Sequence, residues 1–151
     1  METMNTNEIE IDMRQVPKGY IYCFNEGCAK RGECLRRIVG QALDDEVKVA
    51  PTVLPSVLKM RSCPYFSKAE PMRMAWGFTK LFEEVKSKHE AVLRDEMKEY
   101  LGGNGSYSRY KLGRKLLTPR QQSHILAMFH RKGYAEVTEF DHYVTTYHFD
   151  D

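Results

Sequence analysis

The sequence predicts a mainly α, α+β chain: a cysteine-stapled N-terminal knuckle on a three- to four-helix body, ending in a short hairpin or an extended tail. Three observations carry that expectation. All four cysteines fall at or before Cys63, apolar residues after Pro71 recur at helical spacing, and residues 134–151 are rich in aromatic and β-branched side chains. With 151 residues, 42% of them apolar and 29% charged, the chain has the size and composition of a folded domain.

Each element follows from local chemistry. Residues 1–19 read as a polar arm ended by Pro17 and Gly19, and no basic stretch followed by an apolar run marks a secretion signal. Residues 20–66 form the cysteine module. Within it, Gly27 and Gly32 let the backbone fold back between cysteines, and 20–34 reads as a compact knuckle. Leu35, Ile38, Val39, Ala42 and Leu43 then trace the stripe of a short amphipathic helix. Pro51, Pro55 and Pro64 make 46–64 an extended connection.

The body, 67–151, is expected to pack with this module as one compact unit. Met74, Ala75, Phe78, Leu81, Phe82 and Val85 share one helical face, which His89, Val92, Leu93, Met97, Tyr100 and Leu101 continue. A Ser87–Glu90 capping box divides the pattern into two helices, and Gly102 and Gly103 end the second. Thr118 as cap, Pro119 at the first position and Gln121 three residues after the cap open a further helix. Its apolar face is Ile125, Leu126, Met128 and Phe129, and Gly133 closes it. The final residues predict two short strands turning near Asp141–His142. No apolar run is long enough to span a membrane, so a cytoplasmic protein with reduced thiols is expected.

Cys23, Cys28, Cys34 and Cys63 are spaced C-x4-C-x5-C-x28-C. Four thiolates suit tetrahedral zinc, and a tight knuckle supplying part of the ligand set is a common construction. Lys30, Arg31, Arg36 and Arg37 stand close in sequence to offset the formal −2 of such a centre. An iron–sulfur cluster is the alternative, since it also takes four cysteines and Cys63-Pro64 has the Cys-Pro pairing of ferredoxin motifs. A third possibility is a set of reduced, metal-free cysteines packed as small hydrophobes.

Charge is distributed unevenly behind a net of +2. Residues 101–133 carry seven basic groups and no acid, whereas 134–151 carry five acids and no lysine or arginine. Residues 93–129 resemble the helix-turn-helix of the Cro and phage-repressor type: a helix ending Leu101-Gly102, a short turn, then a helix closing at Gly113. The turn is one residue short and Lys98 replaces a small residue. The resemblance implies that Tyr107 and Tyr110 face the core and that Ser106, Arg109 and Lys111 face a DNA groove. Arg114 and Lys115 would then meet phosphates, and Arg120 completes the expected nucleic-acid-binding set. An acidic protein partner, or the chain's own Glu136, Glu139 and Asp141, is the competing destination for the basic face.

No H-E-x-x-H, G-x-S-x-G or other nucleophile–base pattern is present, so catalysis is not indicated. The chain also resembles an uncharacterised family of small proteins from Bacteroidetes-type bacteria. The resemblance lies in Cys23, Cys28, Cys34-Leu35-Arg36, Cys63-Pro64-Tyr65-Phe66, Ala75-Trp76-Gly77 and Thr118-Pro119-Arg120-Gln121-Gln122. It implies a shared fold and a shared cysteine site, and assigns no activity. The expected function is a small non-catalytic binding protein with a structural four-cysteine metal site, zinc first, acting as a DNA-binding regulator. The alternatives are a protein-interaction or scaffold module with metal-free cysteines and, third, an iron–sulfur redox protein.

Overall fold

Thirteen helical residues from Pro119 to Arg131 and fifteen from Ser87 to Leu101 dominate a computed structural model that describes residues 9–149. The described chain divides into two units, one running to Pro71 and resuming at Thr146, the other Met72–Thr145. The first is built from short pieces. Strand β1 (Tyr22–Cys23) pairs in parallel with β2 (Thr52–Val53), placing Cys23 opposite Val53. Helix α1 (Leu35–Gln41) starts at Cys34, and Met13–Gln15 and Pro55–Lys59 are single 3-10 turns. Cys34 also bridges Lys68 in antiparallel fashion, tying the start of α1 to the chain after Cys63.

The apolar core of this unit is small. Leu35, Val39 and Tyr147 are buried together, with Ile9, Ile11, Met13, Val16 and Tyr20 packed around them. Residues 9–16 are therefore anchored by their apolar side chains, which a reading of this stretch as part of a polar arm does not anticipate; the rest of the arm, 1–8, lies outside the described residues. A unit this size with so few buried apolar residues gains little from hydrophobic burial, and scaffolds of that kind depend on a staple.

The second unit contains β3 (Pro71–Trp76) from Met72 onward, α2 (Thr79–Phe82), α3 (Ser87–Leu101), α4 (Asn104–Leu112), α5 (Pro119–Arg131) and β4 (His142–Tyr147) as far as Thr145. Its core joins Phe78, Leu81, Leu93, Met97, Tyr107, Leu117, Ile125, Phe129 and Phe140. The helix expected from Met74 to Val85 is corrected to a strand followed by a four-residue helix. The backbone finds better partners in the extended form: Ala75 exchanges bonds of 3.1 and 2.8 Å with Leu117. Gly77 then turns the chain at φ +87°, where a Cβ would stand 2.7 Å from the Asp141 side chain.

The break before α3 lies where the sequence predicts it, although Ser87 does not cap the helix. Lys86 is the cap residue and makes no side-chain cap bond. The Tyr134 hydroxyl takes that place, accepting from Lys86 N at 3.1 Å and meeting His89 Nδ1 at 2.6 Å. At α5 the expected Thr118–Gln121 capping box is present in full. The expected C-terminal hairpin is replaced by one strand, β4, whose partner is β3. Residues 134–141 remain outside helix and strand, with Tyr134, Val137 and Phe140 buried in the helical core.

Candidate functional site

Every cysteine of the chain lines one cavity of about 40 Å³ in the first unit. Cys23 comes from β1, Cys34 from the residue preceding α1, and Cys28 and Cys63 from irregular segments between turns. Cys34 is buried and the other three are half-buried, all as free thiols. Asn25 completes the wall from the buried side, directing Nδ2 to the carbonyls of Val53 and Leu54 at 3.5 and 3.4 Å. Among the described residues, no three or more His, Cys, Asp or Glu side chains are yet grouped as a metal ion requires. The cavity assembles the donors without drawing them to coordination distance.

Four cations border the same cavity, and their engagements differ. Lys30 Nζ lies 4.6 Å from the centroid of the Phe66 ring. Arg31 reaches the carbonyl of Cys28 at 3.3 Å. Arg36 donates from Nε to Tyr65 O and from Nη1 to Ile21 O, both at 2.8 Å, so one guanidinium spans the segments that carry Cys23 and Cys63. Arg37 is only 8% exposed. With the Gln41 amide turned so that its oxygen faces the guanidinium, Nη1 and Nη2 donate to it at 2.6 and 3.1 Å. Arg37 Nε is buried without a hydrogen-bond partner.

In the second unit, α3 and α4 are joined by Gly102 and Gly103 alone, at φ +96° and +114°. Tyr107 and Tyr110 are buried on the inner side of α4. Burial raises the Tyr107 phenol above its ordinary value, and its hydrogen bond with Arg94 opposes that rise. Arg109, Lys111, Arg114 and Arg120 are exposed, while Ser106 and Lys115 are half-buried. Ser106 Oγ accepts from Arg109 Nη2 at 3.3 Å, and Lys115 Nζ lies 5.8 Å from the Tyr110 ring. At 100° per residue, Ser106 and Lys111 leave opposite flanks of the buried tyrosine face and Arg109 points away from it. The six basic-block residues therefore share a segment and do not share one face.

Lys98 does not obstruct the turn, because its Nζ rests 5.5 Å from the Tyr107 centroid. Two of the acids proposed to neutralise the basic block have work elsewhere. Glu139 pairs with Lys80 at 3.4 Å, and Asp141 accepts from the Thr79 and Lys80 amides at 2.9 and 2.7 Å. Asp141 thereby caps α2, a role its separation of some sixty residues from Thr79 conceals in sequence. Asn25 was likewise missed as a cavity residue, since nothing local distinguishes it from a turn asparagine.

Residues 4–149 match a family of unknown function, DUF6078, which covers both units and all four cysteines. The chain belongs to that family. No curated protein and no solved structure matches it. Among the described residues, no helix is long and apolar enough to cross a membrane.

Proposed function

We propose that this chain is a small, non-catalytic binding protein of the bacterial cytoplasm, of Bacteroidetes type, whose first unit is closed by a zinc ion on Cys23, Cys28, Cys34 and Cys63. The observation carrying the reading is that these four residues, separated by up to forty positions, line a single cavity. Cys28 and Cys63 stand outside helix and strand, so no helix or strand ladder fixes their segments against a turn of the sulfurs toward one another. A structural zinc contributes on the order of 10 kcal/mol or more to folding, which is the staple a unit with so small a core requires.

Zinc stands before the iron–sulfur alternative because four thiolates satisfy tetrahedral zinc with no inorganic sulfide and no redox change. Metal analysis and a visible spectrum of protein purified without added metal form the test. One zinc per chain and a colourless sample are expected; absence of both zinc and iron from folded protein overturns the reading and leaves the metal-free interaction module.

A second reading concerns the helical unit and rests on α4 being a short helix with exposed Arg109 and Lys111 after a two-residue turn. We propose that a subset of four of the basic residues Arg109, Lys111, Arg114, Lys115 and Arg120 meets DNA phosphates. Four such contacts give a log affinity falling with log salt at a slope of roughly −3.6. Binding unaffected by Arg109→Ala with Lys111→Ala, or absent at low ionic strength, removes the DNA reading and favours an acidic protein partner.

A further inference from the structure

We propose that Arg37 is the internal counter-charge of the four-cysteine centre, its unengaged Nε–H being the donor reserved for a metal-bound thiolate. This inference rests on the metal reading above. A guanidinium remains charged in proteins and presents donors in a fixed fork. Burying it without an anion is costly, and native structures avoid it unless the charge is paired. Arg37 is buried, makes no ion pair among the described residues and leaves Nε unsatisfied. Its hydrogen-bond partner, Gln41, is neutral.

The acidic side chains around the cavity are the four thiols and the phenol of Tyr65, which is exposed. Negative charge enters this space when the thiols give up their protons to a metal. A zinc on four thiolates carries −2, and one adjacent guanidinium halves that burden. The other three cations are committed: Lys30 to the Phe66 ring, Arg31 to the Cys28 carbonyl, Arg36 to two carbonyls. Arg37 has the unused donor, on the helix that begins immediately after Cys34. The buried, unsatisfied nitrogen and the gathered thiols are independent observations that meet if the cavity receives a cation bound as thiolates.

The full-length protein is loaded with zinc and its affinity measured against a chromophoric chelator, for wild type, Arg37→Gln and Arg37→Lys. Loss of an outer partner of a metal site costs roughly 10–100-fold in affinity, and that loss is expected for Arg37→Gln. Arg37→Lys keeps the charge and is expected to recover most of it. The cobalt-substituted forms give a readout that mere packing would not move. Removing a positive charge beside the sulfurs raises their donor electrons in energy, so the thiolate-to-cobalt band of Arg37→Gln shifts to longer wavelength. Wild-type affinity and an unshifted band in folded Arg37→Gln overturn the inference while leaving zinc binding intact. Should Arg37→Gln not fold, an Arg37→Lys protein that loses ten-fold or more overturns it. A wild type that binds no zinc instead removes the metal reading itself.

Discussion

Replacing Arg36 by alanine removes a side chain that ties the Cys23 segment to the Cys63 segment. The wild-type guanidinium makes two bonds of 2.8 Å, to Ile21 O and Tyr65 O, and its Cζ lies 5.2 Å from the Tyr20 ring. Hydrogen bonds from a charged donor contribute about 1.5–3 kcal/mol each. Both bonds here reach solvent, so water replaces part of what is lost and about 1 kcal/mol apiece is the appropriate figure. A partly exposed cation–π contact adds about 0.5 kcal/mol. The expected loss is about 2–3 kcal/mol, confined to the first unit. Arg36→Lys keeps the charge on one donor nitrogen, which cannot reach both carbonyls as the fork of Nε and Nη1 does, and is expected to lose about half as much. Denaturant unfolding measures the sum, and amide exchange locates it: β1 and the segment around Tyr65 lose protection, while α3 and α5 keep theirs. Unchanged exchange at Tyr22, Cys23 and Phe66 in Arg36→Ala refutes the clamp, and with it the argument that one arginine brings the two cysteine segments together.

Other outcomes follow from the second unit. Gly113→Ala places a Cβ at φ +80° only 2.8 Å from the Trp76 ring, so overpacking and left-handed strain together cost about 2–4 kcal/mol, checked by thermal unfolding and by the emission of the single tryptophan. Thr118→Ala removes the arm of the α5 capping box in which Thr118 Oγ1 accepts from Gln121 N, leaves the backbone arm to Gln121 Oε1, and is expected to cost about 1 kcal/mol in denaturant unfolding. Phe129→Ala empties a fully buried site against Phe82, with a loss of about 3–5 kcal/mol by the same measurement. Because the folded Tyr107 pKa lies above its ordinary value near 10, its contribution is complete below that value and declines as pH rises through the folded pKa. Tyr107→Phe should lessen the alkaline fall in stability measured by unfolding from pH 9 to 11; an identical fall in the variant excludes Tyr107 as its source.

Local chemistry made several elements legible in the sequence. Thr118-Pro119 with Gln121 defines the start of α5, Gly102 and Gly113 end their helices, and the Leu35–Val39 stripe defines α1. These signals are legible because capping, left-handed glycines and helical periodicity each depend on residues within a few positions. Met74 to Val85 shows the limit of such signals. Its apolar spacing fits a helix, yet Leu117, forty-two residues after Ala75, offers backbone bonds that pull Ala75 into an extended chain. Periodicity reports which residues prefer burial and does not report which backbone partner is available.

The candidate site divides along the same line. Sequence alone determined that four cysteines stand at the spacing C-x4-C-x5-C-x28-C, and that seven basic residues with no acid among them occupy 101–133. Tertiary structure decided that Cys63 joins the other three around one cavity, and that Arg36 binds their segments while Arg37 is left buried with an unused donor. It also scattered the basic residues over several directions and gave Asp141 to the cap of α2. Residue identity fixes the charge and donor capacity of a side chain. Whether that capacity is spent depends on which distant backbone or ring the fold places within reach, and that information exists only once the chain has closed on itself.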